Sequence, residues 1–168
     1  IIVGYNINSN GNRDMIALKV NPNFTPASNM AIVGELESDE WANGIAIQGA
    51  YFYMAGASGS LINQEYHLYV AEMKTIDCSQ TNASRLYVPA YKASVANKIL
   101  YTNNTLLVAG DLFEQTANLN MNHGTVLKLN CLPNKNKNLE VLWAVKTLKD
   151  QDVRFNHLSL FKDNNLLV

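Results

Sequence analysis

A glycine that returns at nearly constant spacing, each time closing the same short apolar run, constrains this chain more than any other feature. Ile1-Ile2-Val3-Gly4, Tyr53-Met54-Ala55-Gly56 and Leu107-Val108-Ala109-Gly110 echo one another, with the glycines 52 and 54 positions apart. The stretch from Ile99 to Val108 returns at an offset of 60 as Ser159 to Val168, the opening of a further copy. Self-similarity at a fixed period marks a repeat architecture, in which each unit buries its apolar surface against its neighbours.

Each unit continues in the same order. A polar loop follows the glycine, then an apolar run carrying a lysine: Met15 to Val20 with Lys19, Leu68 to Lys74, and Gly124 to Leu129 with Lys128. A second loop leads to Met30–Val33, Leu86–Val88 or Val141–Val145. The next unit then opens near Gly44–Ile47, Val95–Tyr101 or Val153–Phe161. The best helical candidate, Glu65 to Thr75, alternates Tyr66, Leu68 and Val70 with His67, Tyr69 and Ala71, and its aromatic and β-branched content predicts a strand. Asparagine occupies 23 of 168 positions, clustered at Asn6–Asn12, Asn118–Asn122 and Asn134–Asn138, where its tolerance of left-handed backbone suits it to turns. Four short strands per unit, punctuated by Gly, Asn and Pro, predict an all-β chain of four-stranded antiparallel β-propeller blades. About three repeats fill residues 1–168 as a single propeller segment, marked by Gly4, Gly56 and Gly110, with a fourth beginning near 153. The small residue before each glycine predicts a tightly packed strand that ends there in a turn.

The pattern of apolar strand, Ala-Gly, polar loop, strand with lysine, loop and tryptophan resembles the tandem β-propeller repeats of bacterial and protist secreted or surface proteins. It covers nearly the whole chain. Tryptophan falls at Trp143 and Trp41, with Tyr91 near the corresponding place in the middle unit. The resemblance implies structural or binding roles and carries over no functional residue.

A chain with 48% hydrophobic and 16% charged residues can bury a core. Its formal net charge of -1, and basic residues as scattered as Lys135, Lys137 and Lys149, predict no nucleic-acid partner and no pull to an anionic membrane. No stretch reaches the roughly 20 continuous apolar residues of a spanning helix, so no membrane insertion is expected. Both ends, Ile1-Ile2-Val3-Gly4 and Leu166-Leu167-Val168, read as mid-strand, so the polypeptide is expected to extend in both directions. Three blades leave open sides, which further blades of the same chain or other copies are expected to cover.

Candidate chemistry is sparse. Cys78 and Cys131 follow the lysines in nearly equivalent loops, a placement that sets them farther apart than the roughly 4.4–6.8 Å between Cα atoms of a disulfide. A mutual disulfide, free thiols and partners elsewhere all stay open. The absence of CxxC and of clustered histidines predicts no metal site. Asn6 to Asp14 has the oxygen-rich spacing of a calcium loop but lacks its carboxylates, ending on Ala17 where glutamate belongs, and is read as an Asn10-Gly11 hairpin turn. Sequons begin at Asn23, Asn82 and Asn103, all in expected loops or turns, a number that so asparagine-rich a chain reaches by chance. His67, His123 and His157 fall at unmatched repeat positions without a GxSxG motif, so no catalytic set is expected. Glu35, Glu37, Asp39 and Glu40 form the densest charge group and read as a solvated loop between blades. Lys19, Lys74 and Lys128 read as strand-end lysines with wet ammonium groups.

These features lead to a non-catalytic structural or interaction module of a larger extracellular or cell-surface glycoprotein, needing no cofactor. Its partners are other protein chains, glycans or identical neighbours in self-assembly. An intracellular scaffold would show reduced cysteines and bare sequons. A propeller enzyme would place convergent His, Asp, Glu or Arg on the innermost strands, which here carry Ile45, Ile47, Val95, Ile99 and Leu158.

Overall fold

A computed structural model describes residues 1–23, 25–34, 38–60, 65–86, 91–116, 119–130, 140–147, 152–160 and 166–167. Among these the chain is all β. The strands are β1 (Ile2–Ile7), β2 (Arg13–Val20), β3 (Pro26–Val33), β4 (Asp39–Gln48), β5 (Tyr51–Ser60), β6 (Glu65–Lys74), β7 (Gln80–Leu86), β8 (Ala93–Thr102), β9 (Thr105–Thr116), β10 (Leu119–Asn130), β11 (Glu140–Lys146), β12 (Ser159–Leu160) and β13 (Leu166–Leu167). They form antiparallel meanders in chain order: a three-stranded sheet β1-β2-β3, four-stranded sheets β4-β5-β6-β7 and β8-β9-β10-β11, and the pair β12-β13. The segment Glu65–Lys74 is a strand, as its alternation predicts.

The sheets pack face to face, and this explains their sequences. In β5, Phe52 and Met54 join Met15, Ala17 and Val33 of the first sheet in one core. Tyr53 and Ala55 point the other way and meet Ala96, Ile99, Leu106 and Val108 of the third sheet. A strand buried on both faces loses the usual polar alternation and reads as a continuous apolar run, which is why Tyr51 to Ala57 holds no charged residue. A third core joins Leu107, Ala109 and Val126 to Leu158 and Phe155, so the segment before β12 covers the far face of the third sheet.

Turn chemistry is local. Asn103 and Asn104 both lie at positive φ, 47° and 59°, which closes the two-residue connection from β8 to β9 with the twist a hairpin needs. The Asn10-Gly11 reading also holds: β1 and β2 are joined by a tight turn in which Asn8 Oδ1 accepts from the amides of Asn10 and Asn12, and Gly11 has φ +84°.

The repeated glycine sits elsewhere than expected. Gly56 and Gly110 lie in the interior of β5 and β9 and end neither strand. Gly56 pairs with Ala42 and Ala55 with Gly44, leaving Asn43 as the extra residue of a β-bulge in β4. Gly110 pairs with Ala96 and Ala109 with Lys98, leaving Asn97 bulged in β8. The bulges drive carbonyl oxygens over the glycines. A β-carbon built on Gly56 would lie 1.7 Å from Trp41 O, and one on Gly110 would lie 2.1 Å from Val95 O. Glycine is thus required by close backbone approach within the sheet.

Register also corrects the lysine frame. The residues opposite Gly4, Gly56 and Gly110 are Ile16, Tyr69 and Thr125. Lys19 and Lys128 each stand three positions beyond that partner, whereas Lys74 stands five beyond. The middle sheet places Glu72 there instead, 5% exposed and accepting from Thr81 Oγ1 at 2.6 Å. Lys19 is a latch as well as a strand end, since its ammonium group donates to Thr75 O at 3.2 Å across the sheet interface.

Because the obstacle is backbone, Gly56→Ala and Gly110→Ala are expected to reach or exceed the upper end of overpacking costs, about 3 kcal/mol each. Denaturant unfolding followed by circular dichroism measures the loss.

Candidate functional site

The bulged asparagines carry the first functional pattern, because a bulge re-aims a side chain out of the pleat. Asn43 Nδ2 donates to Ala96 O at 2.9 Å, and Asn97 Nδ2 donates to Phe155 O at 2.9 Å. The two acceptors are the residues immediately before Asn97 and Asn156. Each bulge asparagine therefore grips the backbone next to an asparagine further along the chain. Asp111 consolidates the second latch, accepting from Asn97 Nδ2 at 2.9 Å and from the Phe155 amide at 3.1 Å.

A second latch recurs at one end of the sheets. Asp39, four residues before Asn43, accepts the Arg13 amide at 2.7 Å. Asp152, four residues before Asn156, accepts the Asn122 amide at 2.9 Å and its side chain at 3.0 Å. Register makes Arg13 and Asn122 equivalent, each three residues before the strand partner of the repeat glycine. Between the middle sheets a contact at other positions joins the sheets, Ser94 Oγ accepting from the Leu68 amide at 2.8 Å.

Around Asp39 these contacts build the densest polar constellation of the described residues. The Arg13 guanidinium carbon lies 4.2 Å from the Trp41 ring centroid and 5.7 Å from that of Tyr5, with Nη2 3.5 Å from Asp39 Oδ2. Tyr66 meets Trp41 edge-on at 5.2 Å. Burial pushes the Tyr66 hydroxyl pKa up, with Arg13 opposing and Asp39 adding to the shift. Beside this cluster Glu40 Oε1 accepts from Ser58 Oγ at 2.7 Å and from Ser38 Oγ at 2.5 Å. Gly34 closes the group, since a β-carbon there would come within 2.6 Å of Asp14 Oδ1 and 3.0 Å of Glu40 Oε2. The expected solvated acidic loop is corrected for its described half: Asp39 and Glu40 are 2% and 1% exposed. A carboxylate this buried needs hydrogen-bonded partners, and serines and the Arg13 amide supply them. Glu35 and Glu37 lie outside the described residues.

The histidine reading is corrected too. His67 pairs with Ser58 and His123 with Leu112, each two residues past the repeat glycine, so these two do match. His123 is fully buried, with Nε2 3.1 Å from Glu114 Oε2 and the Tyr91 ring edge-on at 5.7 Å. Lys146 hydrogen-bonds the Tyr91 hydroxyl, which sets its ammonium nitrogen 5.1 Å from the ring centroid, off the hydroxyl end of the ring. His157 is exposed, away from this position.

The remaining candidates scatter. Cys78 is a free, buried thiol in the core between the first two sheets, with its pKa raised by burial. Cys131 lies outside the described residues, as do Lys135, Lys137 and Lys149. Of the sequon asparagines, Asn23 and Asn103 are exposed in turns, but Asn82 lies in β7 opposite Glu72 and is half-buried, a correction to its expected loop. Trp41 is on β4 and Trp143 on β11, so they hold different places in their units. Ile99 and Leu158 are buried, whereas Ile47 is 56% exposed. Among the described residues no group of three or more His, Cys, Asp or Glu is arranged to hold a metal ion. No helix among them is long and apolar enough to cross a membrane.

Chemically, a guanidinium held between aromatic rings and a buried carboxylate is a fixed recognition or latching group. The asparagine latch has a signal in the sequence not read above, since Trp41-Ala42-Asn43, Val95-Ala96-Asn97 and Arg154-Phe155-Asn156 repeat at 54 and 59 positions.

Asn97→Ala is expected to cost about 1–2 kcal/mol in denaturant unfolding. The hydrogen bonds from Asn122 hold the Asp152 carboxyl below its ordinary pKa. Its stabilising contribution is therefore full above the unfolded-state value and is lost as pH falls through the lowered native value. Melting curves below about pH 4 should accordingly fall less steeply for Asp152→Asn than for the parent, with Asp77, lowered by Ser79, keeping part of the acid sensitivity in both. Searched against models of known protein families the chain matches none, and no curated protein matches it.

Proposed function

We propose that the chain is a β-propeller segment acting as a non-catalytic structural and interaction module of a larger extracellular or cell-surface glycoprotein. Its sheets serve as blades, completed by further blades or by other copies, and its polar connections present binding groups to protein or glycan partners. The observation that carries the reading is the repeated latch, Asn43 to Ala96 O and Asn97 to Phe155 O, which fixes the second sheet on the third, and the third on the segment before β12, by the same contact. A stack fixed in this way is a rigid mount, and binding surfaces favour polar loops on rigid mounts. The apolar character of β4 and β8 at Ile45, Ile99 and Ala46 favours a packed scaffold over a channel lined with acid–base groups.

The buried free thiol of Cys78 favours a second reading, an intracellular scaffold of the same architecture. Native mass spectrometry of the protein from its source, under non-reducing conditions, separates the two. The first reading expects an assembly heavier than 18.6 kDa with glycan on Asn23 or Asn103 and none on half-buried Asn82. The same assembly without glycan supports the second, and a bare 18.6 kDa monomer overturns both.

A further inference from the structure

The three repeat glycines do not share one environment. Gly56 and Gly110 are each overlaid by a carbonyl of the preceding strand, whereas a β-carbon built on Gly4 meets nothing within 4 Å. The reason is topological. β5 and β9 have a neighbour on both edges, but among the described residues β1 pairs with β2 alone, so the edge that β4 and β8 occupy in the later sheets is open at β1.

One face of this first sheet, from β1 across to β3, is apolar. Register places Ile2 opposite Leu18 and Leu18 opposite Met30, and Gly4 opposite Ile16 and Ile16 opposite Ile32, so these six residues share one face of the first sheet. Ile2, Met30 and Ile32 are 53%, 57% and 52% exposed. At the corresponding positions of the later sheets, Met54 and Ala71 face the first sheet and Val108 and Leu127 face the second. A flat apolar strand with an unpaired edge is a template for strand addition.

We infer that the open edge of β1 is a strand-acceptor site for a further repeat-type strand lying outside residues 1–168. Such a strand pairs antiparallel with β1 and bulges at an asparagine opposite Gly4. Its type is that of Ala42-Asn43-Gly44-Ile45 and Ala96-Asn97-Lys98-Ile99. Three features select this occupant. The gap at Gly4 accepts the carbonyl that a bulge pushes forward, as it does at Gly56 and Gly110. Ile2, exposed on the open-edge strand, stands two residues before Gly4, where Met54 and Val108 of the later sheets have Ile45 and Ile99 as their strand partners. The latch series supplies the register: Asn97 reaches the residue before Asn156 and Asn43 the residue before Asn97, so the added asparagine donates to the carbonyl of Ala42, the residue before Asn43. The inference stands on sheet geometry and is independent of the binding role proposed above.

The test uses the full chain and a fluorescent synthetic peptide of its own sequence Tyr91–Thr102, which carries the β8 bulge. Saturable one-to-one binding is expected, with amide shifts at Gly4 and Ala42 in NMR spectra. Gly4→Val should weaken binding at least about tenfold by blocking the carbonyl while leaving the melting temperature within about 2 °C, since its side chain meets nothing in the chain alone. Gly4→Ala, titrated in parallel, gives the same comparison if valine disturbs the sheet. Replacing the asparagine of the peptide by alanine should weaken binding about threefold to tenfold. Absence of saturable binding, or equal binding to parent and Gly4 variants, overturns the assignment. So does a dimer of the chain that depends on Gly4 and that the peptide cannot dissociate, because a second copy would then occupy the edge.

Discussion

The carbonyl oxygen of Trp41 stands where a β-carbon of residue 56 would be, and that of Val95 stands likewise over residue 110. This contact governs much of the rest. A bulge opposite a side-chain-free position lets two strands pair while one carries an extra residue, and that residue leaves the ladder with its side chain pointing out. Asparagine at the bulge converts the irregularity into a donor for the next sheet. Bulge, glycine and latch are therefore one device, and removing any part changes both the sheet and its junction.

The junctions differ in chemistry but not in plan. Between the first two sheets a buried carboxylate, a backbone amide and a guanidinium packed on Trp41 hold one end, and Lys19 with the Thr75 carbonyl holds the other. Between the next two, the Ser94 hydroxyl with the Leu68 amide and Asn43 with the Ala96 carbonyl hold the seam alongside the apolar core. Polar groups at such seams contribute modest net stability and strong positional preference, because a buried donor or acceptor left unpaired is costly. The apolar faces supply most of the adhesion, and the latches decide register.

The strand order was legible because each sheet is a simple meander of apolar runs separated by turn residues. The glycine period was legible too, for a reason the linear sequence hides: an expected strand end is a strand interior facing a bulge, and pairing across strands is not written in adjacent residues. The same blindness misaligned Lys74, since the distance from each glycine to its partner on the next strand is 12, 13 or 15 residues, and a fixed offset slips when hairpin length varies. It separated His67 from His123 for the same cause. Asp39 and Glu40 looked like solvated charge because composition carries no information about the serines and backbone amides that fold over them. The Ala-Asn pair at 42–43 and 96–97 was visible all along, but an asparagine-rich chain offers too many such pairs for one to stand out.

Among the described residues every strand pairing joins segments adjacent along the chain. Hairpins of this kind close short loops at small entropic cost, so each meander can form from local contacts before its neighbour exists. On the ribosome the sheets can therefore be completed one after another in the order of synthesis. An inter-sheet asparagine bond needs an acceptor more than 50 residues further along the chain, so it has to wait for the layer on which it seats.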